Sequence, residues 1–187
     1  MFLQKSTKGI RFVLISLLLL FVSTQSTIGQ EANPTQSSEE LIAQAYNDVW
    51  QPFMESYREL NIAKFKSIQA KDLTRVSIDR NSIQTKAAYF GEIEGFFNQF
   101  IKANRQLDVR FAILTSAAGN DRVYQTGYYS VGYRASESEA FKPMGYGYFT
   151  VVLIKEDGVF KIAVDADKQA KITEEEFKDA GVIYQMD

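Results

Sequence analysis

The most regular alternation of apolar and polar positions runs from Gly145 to Asp167. Tyr146, Tyr148, Thr150, Val152 and Ile154 alternate with Gly147, Phe149, Val151 and Leu153, and Phe160, Ile162 and Val164 alternate on the return. Glu156, Asp157 and Gly158 carry the Asp-Gly signature of a tight turn, so this stretch predicts a long β-hairpin. Its first strand is apolar on both faces near the middle, which requires cover on both sides. Further strands are predicted at 107–117 and 123–135 around the turn Gly119-Asn120-Asp121, with Gly127 and Gly132 marking bulges or sharp curvature. An earlier strand is predicted at 72–78, with Leu73, Arg75 and Ser77 on one face and Thr74, Val76 and Ile78 on the other.

Upstream of these strands the apolar period lengthens to three or four residues. Ile42, Tyr46, Val49, Phe53, Tyr57 and Leu60 form one helical stripe behind a Ser38 N-cap, with Glu39 and Glu40 in the first turn. Pro52 inside that stripe predicts a kink or a split near Trp50 and Gln51. Asn61 caps a second short helix with Ile62, Phe65 and Ile68 inward, and Thr85 to Asn104 predicts a third. Thr173 and Glu176 form a capping box for a short helix ending before Gly181. Helices at one end of the chain and strands at the other imply an α+β fold: a strongly curved, mostly antiparallel sheet wrapped around the N-terminal helices.

The N-terminus has a different pattern. Lys5, Lys8 and Arg11 precede an apolar run of 11 residues, Phe12 to Val22, and then a small polar stretch to Gly29. This is the layout of a secretory signal peptide, and the run is shorter than the roughly 20 residues of a membrane span. Residues 1–29 are therefore expected to be a signal peptide, 30–38 a polar linker, 39–181 one domain and 182–187 a tail, in a secreted or periplasmic protein with no membrane attachment after cleavage. Three of the 21 basic residues and none of the 23 acidic ones precede Gln30, which leaves the remainder at −5 and argues against nucleic acid as a partner. The chain has no Cys and no His. That excludes disulfides, lipoprotein processing, thiolate metal sites and every His-dependent triad or acid–base device. Any chemistry falls to Asp, Glu, Tyr, Lys or Arg, and no cofactor is expected.

Four stretches together resemble the nuclear transport factor 2-like superfamily, in particular its SnoaL-like members. They are Trp50 to Arg75, Gly91 to Phe100 and the two hairpins at 107–135 and 145–165, which cover nearly all of the chain after the leader. The resemblance implies a cone-shaped half-barrel with a cavity between sheet and helices, often dimerising through the outer sheet face. It does not imply one activity, because the superfamily holds isomerases, dehydratases, cyclases and binding modules. Steroid-isomerase-like members use an Asp base and a Tyr donor. An ungapped carry-over through Asn61 to Asp72 puts Phe53 at that Tyr and Ser77 at that Asp, so both groups are missing. Asp79, two residues on, is the candidate replacement, and the dehydratase and cyclase branches commonly rely on a His that is absent.

Three functional expectations follow. The leading one is a non-catalytic binding or interaction module, with Trp50, Phe53, Tyr57, Tyr89, Tyr128, Tyr146 and Tyr148 ringing a pocket for a small apolar or aromatic ligand. The outer sheet face would carry a homodimer. The second is a cofactor-free lyase or isomerase using Asp79 or Asp165 with a Tyr. It requires a carboxylate in an apolar cavity within hydrogen-bond reach of a phenol. The third is calcium binding by an EF-hand-like loop at 165–176, with Asp165, Asp167, Gln169 and Glu176 as ligands. That loop has Ala170 where the motif has Gly, and Lys168 and Lys171 beside it.

Overall fold

The Gly145–Asp167 hairpin forms the middle of the sheet. The computed structural model describes residues 36–136 and 138–186, so the expected signal peptide and most of the expected linker lie outside the described residues. Strand β5 (Lys142–Glu156) and strand β6 (Val159–Ala170) pair antiparallel, and Glu156 faces Val159 across a two-residue turn. Asp157 and Gly158 take φ of 52° and 81°, the left-handed pair that a tight hairpin turn needs and that Asp-Gly tolerates. Leu153, Val151 and Phe149 point inward and are buried, whereas the alternate set beginning at Tyr146 points outward.

The remaining strands are β1 (Gln69–Ser77), β2 (Ser82–Gln84), β3 (Gln106–Gly119), β4 (Arg122–Arg134) and β7 (Val182–Tyr184). They build one open seven-stranded sheet in the order β2-β1-β6-β5-β4-β3-β7. All neighbours are antiparallel except β1 and β6, which run parallel with Arg75 opposite Asp165 and Ser77 opposite Asp167. The sequence places β1 and its two faces correctly, but the parallel pairing is a long-range event with no local signature. The short β2 and β7 have no counterpart among the predicted elements. The expected tail from 182 is instead an edge strand, because Val182 to Tyr184 pair with Ile113 to Phe111.

Four α-helices, the first two of them continuous, cover the concave face. Helix α1 (Ser38–Ala45) continues through a π-helical turn, Tyr46–Trp50, into α2 (Gln51–Arg58). Ser37 rather than Ser38 is the N-cap, in a reciprocal capping box with Glu40. The Gln51 N–H reaches back to the Tyr46 carbonyl, one residue further than in an α-helix. Pro52 has no N–H to give, so the ladder widens ahead of it instead of breaking. Asp48, within the π turn, accepts the Phe160 backbone N–H at 2.9 Å and so pins this turn to the hairpin. Helix α3 (Ile62–Ser67) starts at the Asn61 cap, and α4 (Lys86–Lys102) at a Thr85 cap. Phe65 packs edge-on against Phe53, Tyr89 and Phe97, which joins α2, α3 and α4 into one aromatic layer.

Helix α5 (Glu174–Asp179) lies on the outer face of the sheet. Its Phe177 is fully buried between the Arg110 guanidinium and the Tyr146 ring. Glu174 takes two hydrogen bonds from Arg110, at 3.0 and 2.9 Å, and one from the Tyr146 hydroxyl at 2.7 Å. The Arg110 bonds do most to hold its carboxyl down at about 2. The stability Glu174 contributes is thus full above its ordinary value of 4.5 and is lost as pH falls toward about 2. Urea unfolding should show Glu174→Gln below the wild type at pH 7, with the gap closing as the pH is lowered to about 3. A gap that widens on acidification would show that the clasp does not hold the helix.

Candidate functional site

Between the sheet and the helices lies a cavity of about 230 Å³. Helix α2 and the π turn contribute Trp50, Phe53 and Tyr57, and α4 contributes Tyr89, Ile93 and Phe96. The sheet contributes Arg75, Phe111, Tyr129, Phe149, Asp165 and Asp167, among others, with half-exposed Met144 at the rim. Trp50 is 1% exposed, and its indole N–H donates to the buried Gln125 at 2.7 Å, which fixes the ring as a rigid wall. Its ring meets Phe111 and Phe149 at centroid distances of 4.6 and 5.3 Å.

Set into this apolar wall is one charged chain of contacts. The Tyr89 hydroxyl donates to Asp165 Oδ2 at 2.8 Å. Arg75 donates from Nη1 to Asp165 Oδ1 at 3.2 Å and from Nη2 to Asp167 Oδ1 at 2.7 Å. The Tyr129 hydroxyl donates to Asp167 Oδ2 at 3.0 Å. The run is therefore Tyr89–Asp165–Arg75–Asp167–Tyr129, with the guanidinium also 4.8 Å from the centre of the Tyr89 ring. The register explains it. Asp165 and Asp167 sit two apart on β6 and so share a face, and the parallel pairing lays Arg75 beside them.

Arg75 is 6% exposed and Asp165 9%. Burial pushes the Asp165 carboxyl above its ordinary value, and nearby Asp167 adds to the rise, while Arg75 and the Tyr89 hydroxyl pull it partly back. Burial also works against the charge on Arg75, but Asp165, Tyr89 and Asp167 together outweigh it and the guanidinium stays charged. The phenols of Tyr89, Tyr129 and Tyr57 are all raised, first by burial and then by the neighbouring carboxylates, so they remain protonated donors.

Four of the seven expected aromatic positions, Trp50, Phe53, Tyr57 and Tyr89, line the cavity. Tyr128, Tyr146 and Tyr148 do not, because they belong to the outward parity of β4 and β5. Tyr128 and Tyr148 pack against each other at 5.6 Å, and Tyr146 lies under α5. Alternation identifies two faces without saying which one is concave, and Tyr129 is the cavity member of its pair. The sequence pattern puts Arg75 on the correct strand face but assigns it no role. Its signal is a cation alternating with Leu73 and Ser77 on a face that also has to be buried.

Asp79 is not in the cavity. It is exposed beyond the end of β1 and accepts the Gln169 backbone N–H at 2.5 Å. Ser77 is buried and accepts from Arg80 Nε at 2.9 Å. The calcium-loop expectation is also corrected. Residues 165–170 are extended strand rather than loop, Asp165 and Asp167 are turned to Arg75, and Glu176 accepts the Thr173 N–H in the α5 capping box. Among the described residues no three Asp or Glu side chains converge as a metal site would require.

Gly147 keeps this geometry possible. It pairs with Tyr129 across β4 and β5, and a Cβ there would run into the Tyr129 ring. Gly147→Ala should push the ring off Asp167 and cost about 1–3 kcal/mol in urea unfolding. The same change made in Tyr129→Ala should be close to neutral. An equal cost in both backgrounds would show that the clash is not with Tyr129.

No family model matches the sequence, and no curated protein matches it. Solved structures do match in fold. ActVI-ORFA from Streptomyces coelicolor superposes with a TM-score of 0.60 at 15% identity, over 71% of this chain and 99% of that one. Aln2 from another Streptomyces species gives 0.60 at 15%, over 71% and 93%. A candidate scytalone dehydratase from Novosphingobium aromaticivorans gives 0.57 at 13%, over 72% and 87%. The chain thus has the cone fold of SnoaL-like proteins in the nuclear transport factor 2-like superfamily. The likeness is one of fold; the site stands on its own residues.

Proposed function

We propose that the cone is a cofactor-free acid–base site of the lyase or isomerase kind, acting on a small, largely apolar molecule. The observation that carries this reading is Asp165, a carboxylate inside an aromatic cavity, bonded to the Tyr89 hydroxyl at 2.8 Å and raised by burial. A carboxylate whose pKa moves toward neutrality is a better proton acceptor at pH 7 than a solvated one. Arg75 and Tyr89 hold it in one orientation, and Asp167 shares the same guanidinium. The fold neighbour named as a scytalone dehydratase is consistent with lyase chemistry in such a cone.

The binding-module reading is the alternative. It is favoured by the internal satisfaction of the network, in which both tyrosine hydroxyls and both guanidinium ends are already used. Proton exchange separates the two. Small cyclic ketones and β-hydroxy ketones, with and without an amino group, are incubated with the protein in D2O and followed by NMR. Exchange of the α C–H, or loss of water, that depends on Asp165 supports the acid–base site. Ligands that bind in the cone and never exchange would leave a binding module.

Two context proposals go with this reading. Export is supported by the basic, apolar and polar order of residues 5–29. A homodimer through the part of the outer sheet face that α5 leaves open is supported by exposed Tyr124 and Leu114 there.

A further inference from the structure

We infer that the molecule the cone takes is a small ring-bearing organic cation, a protonated amine on an aromatic or alicyclic body. This rests on the cone being the ligand site, but on no catalytic step within it. Most donors of the wall are already committed, with Arg75 Nε, buried and without a partner among the described residues, as the exception. Trp50 gives its N–H to Gln125, Tyr89 its hydroxyl to Asp165 and Tyr129 its hydroxyl to Asp167. Arg75, whose side chain is 7% exposed, spends both terminal nitrogens on the same two carboxylates. Among the described residues, Tyr57 is the wall phenol that does not donate to either Asp.

A ligand therefore meets ring faces and carboxylate oxygens. Two carboxylates share one guanidinium, so the ionised group carries one negative charge in excess in a site largely shielded from water. An anion would find no uncommitted cation there. A cation gains twice, from the carboxylates and from the negative faces of the aromatic rings, and both attractions strengthen away from water. Asp167 is the more open of the two acids, at 21% side-chain exposure against 12%, and is the point of contact for an ammonium group. The cavity volume of about 230 Å³ admits a single ring with a short arm.

Benzylamine, benzyl alcohol and benzoate share a ring and differ in charge. Trp50 is the chain's one tryptophan and forms the cavity wall, so its fluorescence reports binding in the cone itself. At pH 7 benzylamine should bind about tenfold more tightly than benzyl alcohol, with benzoate weaker than both. Asp167→Asn removes one charge at nearly constant shape and should bring the amine to within about twofold of the alcohol. Benzoate binding as well as benzylamine, or an unchanged ranking in Asp167→Asn, would overturn the cation assignment and leave the cone as a ligand site. Failure of all three to perturb Trp50 at millimolar concentration would sink both. The wild-type ranking decides the matter by itself if the variant does not fold.

Discussion

Arg75→Met should destabilise the domain by about 3–5 kcal/mol at pH 7, read as the shift in urea unfolding. The cost comes less from the lost ion pairs than from what remains. Asp165 and Asp167 would keep their burial and lose the cation that makes it tolerable. Asp165 is already raised by burial, with Arg75 as the main opposing influence, so the variant should raise it further. A carboxyl raised in the folded state binds its proton more tightly there than in the unfolded chain. Its stabilising contribution is present below the unfolded value of about 3.9 and is lost as pH rises through the folded one. The Arg75→Met deficit should accordingly be largest at neutral pH and shrink on acidification. Adding Asp165→Leu and Asp167→Leu should recover much of it, because an apolar trio in this wall has no charge to desolvate. A single-variant cost below about 1 kcal/mol would mean that water reaches the network and that the cavity is not dry.

Asp165→Asn should lower the proton-exchange rate by about 10²- to 10⁴-fold, the usual worth of a positioned general acid or base. The amide cannot take a proton from carbon, yet it still offers Tyr89 an oxygen to bond. Binding of benzylamine, followed through Trp50, should survive in weakened form, so the loss would fall on turnover rather than on occupancy. Tyr89→Phe is the companion variant. It removes the hydrogen bond at 2.8 Å and keeps the ring over Arg75, so it should cost less than Asp165→Asn and alter the pH profile of exchange. Equal rates for Asp165→Asn and the wild type would remove Asp165 from any catalytic role.

The sequence by itself determined the frame of this protein. The period-two run from Gly145 to Asp167 with its Asp-Gly turn, the stripes that became α1 to α4, and the Thr173 capping box are local signals, and each formed its element, with the first cap at Ser37 instead of Ser38. The absence of His and Cys limited the chemistry to carboxylates, phenols and cations, which are the groups now found in the cone. Of the four expected aromatics that line the cavity, Phe53 and Tyr57 were legible because helical periodicity points their stripe at the core, whereas Trp50 and Tyr89 lie outside the stripe.

What only the tertiary structure decided was which strand face turned inward and which strands met. Alternation on β4 and β5 is symmetric between faces, so Tyr128, Tyr146 and Tyr148 read as well as Tyr129 until sheet curvature made one face concave. Asp165 read as a calcium ligand or a cavity acid, and Asp167 only as a calcium ligand. The parallel pairing of β1 with β6 settled it by bringing Arg75 from 90 residues away to lie beside them. A residue pair that far apart leaves no trace in local pattern, because its contact energy is gained only once the intervening chain has folded.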